Sequence, residues 1–107
     1  MRKDISVTPA MIEQGGGFIF HHDGGHGWLE VSASDLSILG INEGISHYSY
    51  QNNGKVYLEE DCDLPKFLDA FALYYGLDRN GANFEKCTKC VYDGDSSPIR
   101  QYQSYRI

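Results

Sequence analysis

Long apolar runs are missing from this 107-residue chain, and no stretch approaches the ~20 residues a membrane helix needs. The opening Met1-Arg-Lys-Asp leads into no hydrophobic signal segment, so the cytoplasm is the expected compartment, with no membrane partner. Basic residues are few. Nine Lys and Arg against fifteen Asp and Glu give a net charge of −6, which argues against direct binding to a nucleic-acid backbone. Proline occurs three times, and no proline-rich linker or internal repeat divides the chain. Three cysteines are too few for a disulfide scaffold, and in a reducing compartment they are expected to remain thiols. What remains is a chain of single-domain size with 41% hydrophobic and 13% aromatic residues, enough for one modest core. The whole of 1–107 is read as one domain, with residues 1–16, which end in three glycines, as a loose or edge segment.

Tyrosine and acid are plentiful. There are eight tyrosines and one tryptophan, and residues 1–63 carry net −7 while residues 64–107 carry net +1. Much of the asymmetry lies in Glu59-Glu60-Asp61-Cys62-Asp63.

Turn signals and periodicity outline an α+β fold. Phe18 to His22 and Trp28 to Val31 read as strands joined by a glycine-rich turn. Ser32 or Ser34 can cap a short helix carrying Leu36 and Leu39 and ended by Gly40. Asn53-Gly54 between two strand-like runs predicts a second hairpin with a type I′ turn. A two-residue loop then pairs Tyr50 with Tyr57, Tyr48 with Glu59, His47 with Glu60 and Ile45 with Cys62. Alternation sends Ile45, His47, Val56, Leu58 and Cys62 to a core face, and Tyr48, Tyr50, Tyr57 and Glu59 to the other. Leu64, Phe67, Leu68, Phe71, Ala72 and Tyr75 follow the helical period between Asp63, a plausible N-cap, and Gly76, a stop. Lys89–Tyr92 and Ile99–Tyr105 offer further strands. The expected architecture is a small antiparallel sheet, of two hairpins and a tail strand, on one main helix with a short extra helix.

Several groupings resemble chemistry. Cys87 and Cys90 have the C-x-x-C spacing of half a zinc site, which a histidine such as His26 would help complete. No second pair at structural-zinc spacing follows, and no βαβ pattern supports a redox role. His21 and His22 in a strand point to opposite faces, so they cannot share one centre. Glu59 and Glu60 alternate likewise and make no acid–base pair. Asp61 and Asp63 suit helix capping. Cys62 near a helix N-terminus has the setting for a lowered pKa, although the register turns it into the core. The glycines at 15–17 and 24–27 fit neither a phosphate loop nor a dinucleotide fingerprint. No catalytic set emerges, and an enzyme is not expected.

The segments His26-Gly-Trp-Leu-Glu-Val31, Leu39-Gly-Ile41, Ile45-Ser46, Tyr48-Ser-Tyr-Gln51, Tyr57-Leu-Glu-Glu-Asp-Cys-Asp63 and Ser97-Pro-Ile-Arg-Gln-Tyr102 resemble a family of small proteins carried by phages, plasmids and integrated elements. The likeness covers residues 18–75 and the tail, and Cys87 and Cys90 lie outside its pattern. It implies a setting in a host cytoplasm without implying a mechanism.

Two expectations follow. One is a non-enzymatic protein that binds host machinery, of which an inhibitor of anti-CRISPR or anti-restriction type is one form. Its partner would be a host protein or nucleoprotein complex with a basic surface, met through Tyr48, Tyr50, Tyr57, Glu59 and Asp61. The other is a small zinc-binding domain using Cys87, Cys90 and a histidine.

Overall fold

In the computed structural model, residues 5–13, 17–77 and 88–106 are described. Within them six strands form one sheet in the order β5-β1-β2-β4-β3-β6. The first hairpin pairs β1 (Ile19–His22) with β2 (Gly27–Ser32), with His21 opposite Trp28. The second joins β3 (Tyr50–Asn52) to β4 (Lys55–Glu59), with Tyr50 opposite Tyr57 and Asn52 opposite Lys55. Asn53 and Gly54 both take positive φ, 51° and 79°, as a type I′ turn requires. Strand β5 (Lys89–Tyr92) adds to β1 in parallel, so the sheet is mixed and not purely antiparallel. In the tail, Pro98–Gln101 is a 3-10 turn and only Gln103–Ser104 forms a strand, β6. Pro98 has no N–H for a ladder, and the Ser97 hydroxyl accepts from Ile99 N to start a turn instead.

Helices cover one face. After α1 (Pro9–Glu13), α2 spans Ala33–Leu39 and α3 Leu64–Tyr75. The apolar stripe of α3 puts Phe67 and Phe71 against Phe18, ring centroids 5.3 and 5.9 Å apart, edge to face. Leu29, Val31, Val56 and Leu58 meet them from the sheet. Ile5 is buried in the same core, and its N–H donates to the Tyr75 hydroxyl at 3.1 Å.

The opposite sheet face carries a second, smaller core. Trp28, Tyr57 and Ile99 are buried together, with Tyr50 and Tyr102 at the margin. The tail is fastened over this face by Arg100, whose guanidinium lies 5.3 Å from the Trp28 ring centroid.

The predicted register stops at Tyr50. Residues 47–49 turn away from β4, so the His47–Glu60 and Ile45–Cys62 pairs do not form. His47 stacks on Tyr48 at 4.5 Å, and Cys62 is exposed rather than in the core. The cause is Asp63. Its buried carboxylate accepts from Ser46 N, from the Ser46 and Ser49 hydroxyls, and from Lys66 Nζ at 2.9 Å. It therefore holds the 46–49 turn and makes no side-chain cap on α3, whose N-cap position it fills. Burial alone would raise the Asp63 pKa, but these donors outweigh it and hold the carboxyl below its ordinary range.

Candidate metal centre and binding groove

The glycine-rich turn after β1 is tied by Asp23. Its Oδ1 accepts from Gly25 N at 2.9 Å and His26 N at 3.0 Å, and its own N–H donates to His26 O. Oδ2 accepts from Ser97 N at 2.8 Å, and Arg100 grips both oxygens. Arg100 foremost, followed by Ser97 and the turn N–H groups, holds the Asp23 carboxyl far below the usual carboxylate range. The His26 imidazole is thereby presented from a fixed backbone, half exposed.

The end of β4 and the turn that follows it bring two carboxylates to that imidazole. Glu59 ends the strand opposite Trp28, and the chain then turns, so alternation no longer separates it from Glu60. Glu60 N donates to Gly27 O at 3.0 Å, which anchors it beside the histidine turn. One ligand atom from each of His26, Glu59 and Glu60 lies within 4.8 Å of the others, and this cluster can hold a metal ion. The Glu59 carboxylate has two tasks. Oε2 accepts from Asp61 N at 3.0 Å and Cys62 N at 2.8 Å, leaving Oε1 3.8 Å from His26 Nδ1. In a tetrahedral zinc site, ligand atoms at about 2.0–2.1 Å from the metal stand about 3.4 Å apart, so these side chains, now within 4.8 Å of one another, would draw inward around an ion.

Only half of the C-x-x-C pair falls within the described residues. Cys87 lies outside the described residues. Cys90 is a free, exposed thiol on β5 and borders a hollow of about 370 Å³ with His22, His26 and Glu60, outside the three-residue cluster. Neither His21 nor His22 joins it. His21 Nε2 meets Glu30 Oε1 at 3.0 Å on the second-core side, while His22 stacks on Phe20 and meets the Tyr92 ring at a tilt. The grouping of His26 with Glu60 was hidden in the sequence because it depends on where β4 ends.

On the other side of His26 runs a groove of about 300 Å³ lined by Trp28, Tyr48, Tyr50, Glu59, Asp61, Cys62 and Arg100. Four of the five residues expected to meet a partner lie along it. Tyr48 is 59% exposed and Asp61 is exposed, whereas Glu59 is 8% exposed. The fifth, Tyr57, is buried under Tyr102, ring centroids 5.2 Å apart. Burial first, then the negative charges of Glu30 and of an ionised Tyr102, pushes its pKa up to about 12. Cys62 carries no activated thiol. A hydrogen bond to Glu59 first, then burial and the charges of Glu59, Asp63 and Asp61, raises its pKa.

A larger hollow of about 510 Å³ lies beside β3 and β6, lined by Gln51, Asn52, Lys55, Gln103 and Arg106 among others. Among the described residues it holds no metal-ligating cluster and no unpartnered buried side chain. No helix of the described residues is long and apolar enough to cross a membrane. Comparison with protein-family models, curated proteins and solved structures finds no match to this chain.

Proposed function

We propose that the chain is a zinc-binding domain, with His26, Glu59 and Glu60 as its protein ligands. The observation that carries this reading is the convergence of three ligand atoms, two of them on the β4 turn and one on the Asp23-braced turn. Imidazole and carboxylate are both good zinc ligands, and two negative charges beside one histidine offset the charge of the ion. Elemental analysis after metal-replete expression tests it. One zinc per chain is expected, lost in His26→Ala and Glu60→Gln and kept in Cys90→Ser. Zinc that survives both ligand substitutions, or that leaves with Cys90, would contradict the assignment.

A second reading concerns the groove. We propose that Tyr48, Tyr50, Glu59 and Asp61 form the contact surface of a small mobile-element protein that binds a host protein or nucleoprotein complex with a basic surface. An inhibitor of a host defence system, of anti-CRISPR or anti-restriction type, is the form of that reading we favour. Its support is the gathering of these four residues along one groove in a chain of net charge −6. Capture of a basic host protein from lysate by the tagged chain, abolished by Tyr48→Ala at an unchanged melting temperature, is the expected result. Equal capture by the Tyr48→Ala chain would remove the groove from the interface.

A further inference from the structure

The second core contains one unmet demand. Trp28 is 2% exposed, and its indole Nε1–H has no acceptor among the described residues. Folded proteins leave few buried donors unpaired, and such groups call for an explanation. Trp28 also lines the groove beside His26, facing a set of side chains of mixed character. Tyr50 meets the Trp28 ring edge to face at 6.3 Å, and Tyr48 stands more than half exposed. Glu59 and Asp61 supply negative charge. The cation already present, Arg100, is tied to Asp23 in a two-pronged pair.

We propose that this groove receives an arginine side chain from an extended segment of the partner. The inference rests on the partner-binding reading and not on the metal site. The guanidinium lies against the Tyr48 and Tyr50 rings and beside the exposed Asp61 carboxylate, with the charge of Glu59 behind it. Arginine is chosen over lysine for two reasons. Its planar head both stacks on aromatic faces and forks onto carboxylates, which an ammonium does not. The groove wall already holds a guanidinium in this manner, since Arg100 lies over the Trp28 ring.

Trp28 is the sole tryptophan, so its emission reports this site without labelling. The full chain, kept in EDTA so that Glu59 carries no metal, is titrated with a short acetylated and amidated glycine–arginine peptide. Analogues bearing citrulline and lysine at the arginine positions are titrated in parallel. A saturable change in Trp28 emission is expected, with the citrulline peptide at least about tenfold weaker and the lysine peptide intermediate. Asp61→Asn and Tyr48→Ala, both at exposed positions, should each weaken arginine-peptide binding by about three- to tenfold at unchanged melting temperature. Equal binding of the citrulline peptide would overturn cation recognition while leaving the groove as a contact surface. Equal binding of the lysine peptide would overturn the arginine assignment. The absence of a saturable change at millimolar peptide would overturn the inference, whereas the partner-binding reading stands or falls on capture by the Tyr48→Ala chain.

Discussion

Asp23 and Arg100 stand 77 positions apart and form a two-pronged ion pair, Nε to Oδ2 at 2.6 Å and Nη2 to Oδ1 at 2.9 Å. This pair fastens the tail to the first hairpin turn, so the turn that presents His26 and the cover over Trp28 share one clasp. The same aspartate also receives three backbone N–H groups, two from its own turn and one from the tail, which makes it the junction of those two chain segments.

Acid should open that clasp. The carboxyls of Asp23 and Asp63 are both held below the ordinary carboxylate range in the fold. A carboxyl with a depressed folded pKa contributes stability above its unfolded pKa and loses it as pH falls toward the folded one. The melting temperature should therefore be insensitive to these two groups above about pH 5 and should fall below about pH 4. Asp23→Asn should lower the neutral plateau and flatten the acid limb. Thermal melts from pH 7 to pH 2 give the comparison, and an Asp23→Asn limb as steep as the parent's would exclude Asp23 as a source of the slope.

Asp63 is expected to matter more than a helix cap does. Loss of an ordinary N-cap costs about 1 kcal/mol. Asp63→Ala instead strands Ser46 N, the Ser49 hydroxyl and Lys66, and should cost about 2–4 kcal/mol. Urea unfolding measures it. A cost at the level of a single cap would mean that water replaces the carboxylate in the 46–49 turn.

The tyrosines should separate into two classes. Tyr57→Ala removes a buried ring from contact with Tyr102 and the second core, and should cost about 3–5 kcal/mol. Tyr48→Ala removes an exposed ring and should stay within about 0.5 kcal/mol of the parent. Paired denaturant curves for the two variants test the division. A large cost at Tyr48 would make its stack with His47 a structural contact.

Gly27 opens β2 directly beneath Phe20. A Cβ at this position would lie 2.2 Å from the Phe20 Cζ atom. Gly27→Ala should force the ring aside and cost about 1–3 kcal/mol. Restoration of the loss by adding Phe20→Leu would identify the ring as the cause, and a neutral Gly27→Ala would show that Phe20 has room to move.

Local signals made much of the fold readable. The 3.6-residue stripe from Leu64 to Tyr75 and its stop at Gly76 appear as α3 with those bounds, because burial of one face and a left-handed stop are both local properties. Asn53-Gly54 likewise determined the turn and the Tyr50–Tyr57 pairing, since both residues tolerate positive φ. The parallel addition of β5 to β1 was not legible, because no short-range pattern records which distant edge a strand will join.

The sequence by itself determined one hairpin register, the main helix, the acidic charge and the division of β4 into an aliphatic and an aromatic side. Tertiary structure decided what each side meets. Asp63 recruited Ser46 and Ser49 from 17 and 14 positions away, ended the hairpin at Tyr50 and left Cys62 exposed. The tail covered Tyr57 while leaving Tyr48 open, and the turn after Glu59 carried Glu60 to His26. Strand alternation extends only as far as the ladder does. Where β4 stops, the positions of side chains are set by hydrogen bonds to residues distant in the chain, and no periodicity encodes those bonds.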